Sequence, residues 1–587
     1  MEYDGDSTKF SSNPIAKMFP NSTFADGIRE DLIDLDLNVG NDTSRSVFPS
    51  AEASPLDLTM PLDLTMHNSR NTDTAMNAKL SVFAGVRAIA AATKVVVIGR
   101  NKLIKRLDFT GRLAEKLTAV GVDGRTFNLA ISQIRHSGPT SLPLHLNLAT
   151  LVSIGDETSR HNTPSNSHAI FDAIKDISAC REVKNLSVVL YTEYVHAFAS
   201  CCAVARCFPL YTRKTSADAT EMLFERVDVE LVLPEEDKQL SHTDVRFLQN
   251  VADSIREAGW LVDMPCGELH ADAFADAANS FAGRLPGVST TVIRGAELLA
   301  RGFGGIYHVG RAALHGPTLL CLSYTPSGAS ESIAIVGKGV VSLDAAGTPQ
   351  FNPNFGPPPP RRDMGGAAAA LGAFVALLRA GFTQKLHCVL GIAENGTSSA
   401  AAARPDDVIR MLSGVHVEVN GADVEGRLVL ADGVYYAKST LNASTIIDIG
   451  ALTGCQKYAT GRFHAGVLAN NERLENASVA AGKKSGDLVF PCVYVPDLHF
   501  SDLKSDVADF RNACLGEAKG AHNSVAALFI GKQINYGEAD ANDKTAVDWL
   551  HIDMASVCRN AERATGFGVA HLCALLAKYT NADVAKP

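Results

Sequence analysis

From about Leu80 onward, short apolar runs alternate with stretches whose apolar positions recur at helical spacing. Thr93-Lys-Val-Val-Val-Ile-Gly99 reads as a buried strand, and residues 107–120 carry helical spacing. Asn185-Leu-Ser-Val-Val-Leu-Tyr191 and Val227-Asp-Val-Glu-Leu-Val-Leu-Pro234 read as further strands. Strands alternating with helices predict an α/β region. A helix predicted over residues 244–258 leads into a second α/β region with strands Leu319-Leu-Cys-Leu-Ser-Tyr324, Ser332-Ile-Ala-Ile-Val336, His387-Cys-Val-Leu-Gly391 and Thr445-Ile-Ile-Asp-Ile449. Unbroken hydrophobicity in these runs predicts a mixed, largely parallel sheet covered by helices on both faces.

Residues 1–77 lack this pattern. They are rich in Ser, Asn, Asp, Thr and Pro, with apolar residues too sparse to build a core, and they predict a disordered tail. Within them Pro55-Leu-Asp-Leu-Thr-Met60 is followed at once by Pro61-Leu-Asp-Leu-Thr-Met66. Residues 55–66 read either as a doubled docking peptide for a protein partner or as a chance duplication in unconstrained sequence. Because 587 residues exceed what one core can organise, two folded domains are expected, 78–242 and 243–587.

With 46% apolar and 20% charged residues the composition is that of a globular chain, which excludes disorder throughout. A net charge of −10, with basic runs no longer than Arg361-Arg362, argues against a nucleic-acid partner. No stretch approaches the apolar length of a membrane span and the first residues are acidic, so a cytoplasmic protein without membrane insertion is expected. The twelve cysteines form no C-x-x-C pair and predict reduced thiols; Cys201, Cys202 and Cys207, in an apolar run, predict buried small side chains rather than metal ligands.

The segment with most chemistry is Asp423-Val-Glu-Gly-Arg-Leu-Val-Leu-Ala-Asp-Gly-Val434. Asp423 and Glu425 stand two apart, on one side of an extended stretch, and helical spacing begins near Gly426. Paired carboxylates at the mouth of a parallel sheet suit divalent cations. An Asp-x-Glu alone carries no weight, since most such pairs are simply solvated. Here it accompanies Val336-Gly-Lys-Gly339 with Asp344, Asp363-Met-Gly-Gly366 opening an Ala-rich helix, and Asp448-Ile-Gly-Ala-Leu-Thr-Gly454.

In that order and at about those separations, the segments resemble the leucyl aminopeptidases. Gly304-Gly-Ile-Tyr-His-Val-Gly-Arg311 is similar to that family's Gly-Gly turn before the central strand. Ser505-Asp-Val-Ala-Asp-Phe-Arg-Asn512, Trp549-Leu-His-Ile-Asp-Met-Ala555 and Ala564-Thr-Gly-Phe-Gly-Val569 are similar to its later blocks. The resemblance spans roughly residues 243–580. It implies a metallo-aminopeptidase that removes N-terminal residues from peptides, assembles as a homohexamer and holds two divalent cations, Zn²⁺ or Mn²⁺, through Lys338, Asp344, Asp363, Asp423 and Glu425. It also implies a bicarbonate general base at Arg427, for which the plain alternative is pairing with a nearby carboxylate, and substrate contacts at Ala451, Leu452 and Thr453.

One element of the family pattern is missing. The catalytic lysine expected seven residues after Asp344 is Phe351, and residues 344–356 contain no lysine. Asp344 stands six rather than five residues after Lys338, its turn reads Asp-Ala-Ala-Gly347, and Pro357 to Pro360 precede Arg361 and Arg362, either of which is a candidate substitute charge. Loss of one electrostatic group of this kind costs about 2.7–4 kcal/mol in the barrier. The sequence therefore predicts reduced or lost activity, with a catalytically inactive interaction component recruited through its tail as the alternative.

Overall fold

The computed structural model describes residues 78–135, 138–215, 223–343, 362–396, 404–421, 424–514, 521–539 and 546–587. The residues 1–77 with their repeat, and Asp344, Phe351, Pro357 to Pro360, Arg361 and Asp423, lie outside them.

Two sheets organise the fold. The first has six strands in the order Lys79–Ala84, Arg226–Val232, Asn185–Tyr191, Thr93–Gly99, Ala149–Ser153 and Thr140–Leu144. All neighbours are parallel except the last pair. The second is centred on four parallel strands, Asp548–Asp553, Thr445–Gly450, Ser332–Leu343 and Lys385–Gly396, flanked by antiparallel Thr318–Tyr324 and Ala465–Ala469.

The expected two-sided cover of this sheet has a direct signature. Alternate residues of each strand enter different cores. Ile333, Ile335, Ile447 and Ile449 pack under the helix Gly365–Arg379, while Ala334, Val336 and Ile446 pack under Gly426–Ser439. The first of these cores runs on through the helix His242–Asp263 to one face of the N-terminal sheet, so a continuous apolar interior joins the two. Cys201 and Cys202 are buried in the helix Tyr194–Ala205, and all twelve cysteines are free thiols.

Some boundaries differ from expectation. The helix predicted from residue 107 begins at Gly111, where Thr110 adopts extended backbone and stops the helix from starting earlier. The strand predicted over residues 332–336 continues to Leu343, because its polar Lys338 is buried within the fold rather than ending it. The expected Gly-Gly turn is a helix, Gly304–Gly310, whose glycines abut the Arg410 and Leu428 carbonyls. No helix among the described residues is long and apolar enough to cross a membrane.

Candidate active site

The helix Gly365–Arg379 lies directly on the central strands: a Cβ on Gly366 would stand 2.2 Å from the Ile449 carbonyl oxygen. That close packing fills one face of the sheet, and the strand alternation sends Lys338 to the other. There the lysine threads past Gly426, where a Cβ would meet its Cε at 2.3 Å. Its register is fixed on one side by Gly391, while Gly337 beside it pairs with Ile449 on the other.

Asp363 comes back alongside the same strand, antiparallel and opposite Val340. Its Oδ2 accepts a short hydrogen bond from Lys338 Nζ, which also donates to the Ala451 carbonyl at 3.0 Å. Burial opposes the Lys338 charge, but Asp363 and Glu425 outweigh it and hold the ammonium above its ordinary pKa. Burial pushes the Asp363 carboxyl up to about 6 against the pull of Lys338. Its second oxygen, Oδ1, is buried without a hydrogen-bond partner.

Glu425 and Arg427 flank Gly426 at the start of the helix Gly426–Ser439, both largely buried. Arg427 donates from Nη1 to the Asn512 carbonyl at 2.7 Å, and burial lowers its pKa to about 10. The carboxylate pairing considered for it from sequence is therefore not its hydrogen bond; a main-chain oxygen takes that place, and its Nε is buried without a partner.

Lys338, Asp363, Glu425, Arg427, Ala451, Leu452 and Thr453 line one cavity of about 930 Å³, which extends to Phe171 and Arg206 of the N-terminal region. So the described site residues converge on a single space. Asp344 and Asp423 lie outside the described residues.

Asp553 was not singled out from sequence as a site residue. Buried at 2% exposure, it accepts the amide protons of Leu452 and Thr453 at 3.1 Å and that of Ala555 at 3.1 Å, and thereby fixes the turn that supplies the Ala451 carbonyl to Lys338. A signal existed. In an otherwise apolar strand, Trp549-Leu-His-Ile-Asp553 carries two polar residues at alternate positions. The other, His551, bonds Asp448 Oδ1 through Nδ1 at 2.5 Å, while the Trp549 indole donates to Asp448 Oδ2 at 2.7 Å. Burial opposes the His551 charge, yet Asp448 prevails and raises its pKa.

The donor set fits divalent cations. An orphaned carboxylate oxygen on Asp363, the Glu425 carboxylate and an amine share one wall of a cavity, and oxygen and nitrogen donors of this kind suit Zn²⁺ or Mn²⁺.

Comparison with known proteins agrees with this geometry. The profile of the cytosol aminopeptidase family, catalytic domain, matches residues 257–573, and that of the M17 aminopeptidase N-terminal domain 2 matches residues 93–217. Leucine aminopeptidase 1 of Caenorhabditis elegans is 43% identical over 503 residues, covering 86% of this chain and 98% of that protein. The human probable aminopeptidase NPEPL1 is 43% identical over 450 residues, covering 76% and 83%. The structure of the C. elegans leucine aminopeptidase superposes with a TM-score of 0.80 at 41% identity, covering 87% of this chain and all of that one. The chain belongs to the cytosol aminopeptidase family, a family of metallopeptidases.

Proposed function

We propose that this chain removes single N-terminal residues from peptides in a metal-dependent hydrolysis, at a rate lowered by the replacement of a catalytic lysine by Phe351. The observation that carries the reading is the Lys338–Asp363 pair, with Lys338 buried, beside Glu425 in a cavity large enough for the end of a peptide. Lys338, Asp363 and Glu425, together with Asp344 and Asp423, would hold two divalent cations. When bound, these supply a polarised scissile carbonyl and an activated water near neutral pH.

The chain's own groups do the rest. Lys338 can ligate only as a neutral amine, a form that a nearby cation favours. Asp553 fixes the backbone of Ala451, Leu452 and Thr453, so substrate meets a rigid wall rather than a mobile turn. Arg427, with an N–H left without a partner, offers a positive charge for bicarbonate, the proposed general base. Phe351 offers no charge to a developing oxyanion, a loss of about a hundred- to a thousandfold in rate. The same proposal includes a homohexamer and a cytoplasmic location.

The test is product analysis. Short peptides with free and acetylated N-termini are incubated with metal-loaded protein and read by mass spectrometry. Stepwise loss of one residue from the free peptides alone is expected, whereas internal cleavage or trimming of the acetylated peptides would contradict the proposal. The Phe351 substitution also favours a second reading, a catalytically inactive interaction component recruited through residues 55–66; no trimming of any peptide would support it.

A further inference from the structure

The helix Ala271–Ala282 is capped by His270, whose Nδ1 faces the Ala273 N–H at 3.4 Å. That separation exceeds the 2.7–3.2 Å or so of a firm hydrogen bond, so the ring is only loosely committed. Asp272 occupies the first turn. His315 arrives from the connection between the helix Gly304–Gly310 and the strand Thr318–Tyr324. One donor atom from each of His270, Asp272 and His315 lies within 4.8 Å of the other two, and no other such group of three occurs among the described residues.

A second observation points to a cation. Glu394, near the end of the strand Lys385–Gly396, is 6% exposed and lies close to His315 and Asp272. Among the described residues it has no ion-pair partner, and the ionisable groups beside it are the His315 imidazole and a second carboxylate, Asp272. A buried carboxylate is ordinarily compensated by a cation, either a side chain or a metal. Arg294 stands 3.6 Å from Asp272 and turns its closer contact, 3.0 Å, to Asp276. These are exposed pairs, easily given up.

We propose that His270, Asp272 and His315 bind a borderline divalent cation, Zn²⁺ in the first instance, with Glu394 compensating charge beside them. This site is separate from the one around Lys338. Gly391 pairs with Lys338, and the cluster gathers three residues further along that strand, at Glu394, on the side of the strand Thr318–Tyr324. Two imidazoles and a carboxylate form a donor set used for zinc, with a fourth position left to water. Tetrahedral geometry with bonds of about 2.0–2.2 Å draws donor atoms to about 3.4 Å apart. The required movement is therefore about an ångström. The imidazoles now stack at 3.6 Å, 8° from parallel. An ion lies in the plane of each ring that binds it, so one ring must turn about its Cβ–Cγ bond, a torsion with a broad minimum. Binding would tie together a helix start, a strand start and a strand end that the fold otherwise joins only through loops.

The test uses the full chain stripped with chelator and titrated with Zn²⁺ against a chromophoric competitor, with Co²⁺ absorption as a second readout. The comparison is made in the Glu425→Ala background, which removes a ligand of the other site. The His270→Ala/His315→Ala pair should lose about one equivalent of Zn²⁺ that Glu425→Ala alone retains, together with its visible Co²⁺ band. Because His270 caps a helix, His315→Phe serves as the second variant: it keeps the ring stack and removes the donor nitrogen, and it should lose the same equivalent without a change in circular dichroism. Equal stoichiometry and equal Co²⁺ spectra with and without the histidines would overturn the proposal.

Discussion

The Thr453 hydroxyl donates to Asp553 Oδ2 at 2.5 Å, and the Thr453 and Leu452 amides donate to the same carboxylate. A carboxylate on one central strand thus holds the loop that leaves its parallel neighbour. Asp553→Asn puts an NH₂ donor where these N–H and O–H donors point. Hydrogen bonds to a charged group are worth about 1.5–3 kcal/mol each, so the variant should lose about 2–3 kcal/mol of stability by urea denaturation. Its KM for a leucyl substrate should rise more than its kcat falls, as the proposed contact of this loop with substrate before and during reaction requires. An unchanged denaturation midpoint would show that the turn holds itself.

Gly426→Ala addresses the lysine. The added methyl would lie 2.3 Å from Lys338 Cε and 2.8 Å from Nζ, and that side chain is pinned by Asp363 and the Ala451 carbonyl. Alanine is the better helix former by about 1 kcal/mol, so the fold should tolerate the change while Lys338 moves. Zn²⁺ affinity by chelator competition should fall about tenfold or more, as when ligand orientation is disturbed. Native affinity in this variant would remove Lys338 from the proposed ligand set.

His571 predicts an acid limb in stability. Burial lowers its pKa from 6.5 to about 4, with the Asp487 main chain opposing. The unfolded chain takes up the proton first as pH falls. Stability is therefore complete above pH 6.5 and declines towards pH 4, by up to about 3 kcal/mol at 1.36 kcal/mol per pKa unit. His571→Gln should flatten that part of a denaturation-versus-pH profile. A slope identical to wild type would assign the acid sensitivity to other groups.

Much of this architecture was legible because buried parallel strands write themselves as unbroken apolar runs: Asn185–Tyr191 matches its expected bounds, and Thr445–Gly450 extends its prediction by one residue. Where a strand carries a buried polar residue the signal fades. Lys338 and Glu394 lie beyond the expected ends of their strands, since a charged residue reads as surface until a partner is known. Gly304–Gly310 reads as a turn because paired glycines usually mark one, whereas here they let a helix approach the Arg410 and Leu428 carbonyls. At the site, the residue types of Lys338, Asp363 and Glu425 were informative because they recur in a known order. Asp553 acts on the site through a loop about a hundred residues away in the chain, and His270 meets His315 across two elements. Contacts of that kind have no local signature.

The most direct measurement is metal-supplemented turnover of a leucyl chromogenic substrate by wild type and Glu425→Ala, beside the C. elegans leucine aminopeptidase 1 as reference. The account predicts that wild type binds Zn²⁺ or Mn²⁺ and turns over at least about a hundredfold more slowly than the reference, following the loss of one oxyanion group. It predicts further that Glu425→Ala abolishes the remaining rate. Turnover that survives in Glu425→Ala or in the metal-free protein would contradict a metal-dependent site at Lys338, Asp363 and Glu425, and wild-type turnover equal to the reference would contradict the cost assigned to Phe351.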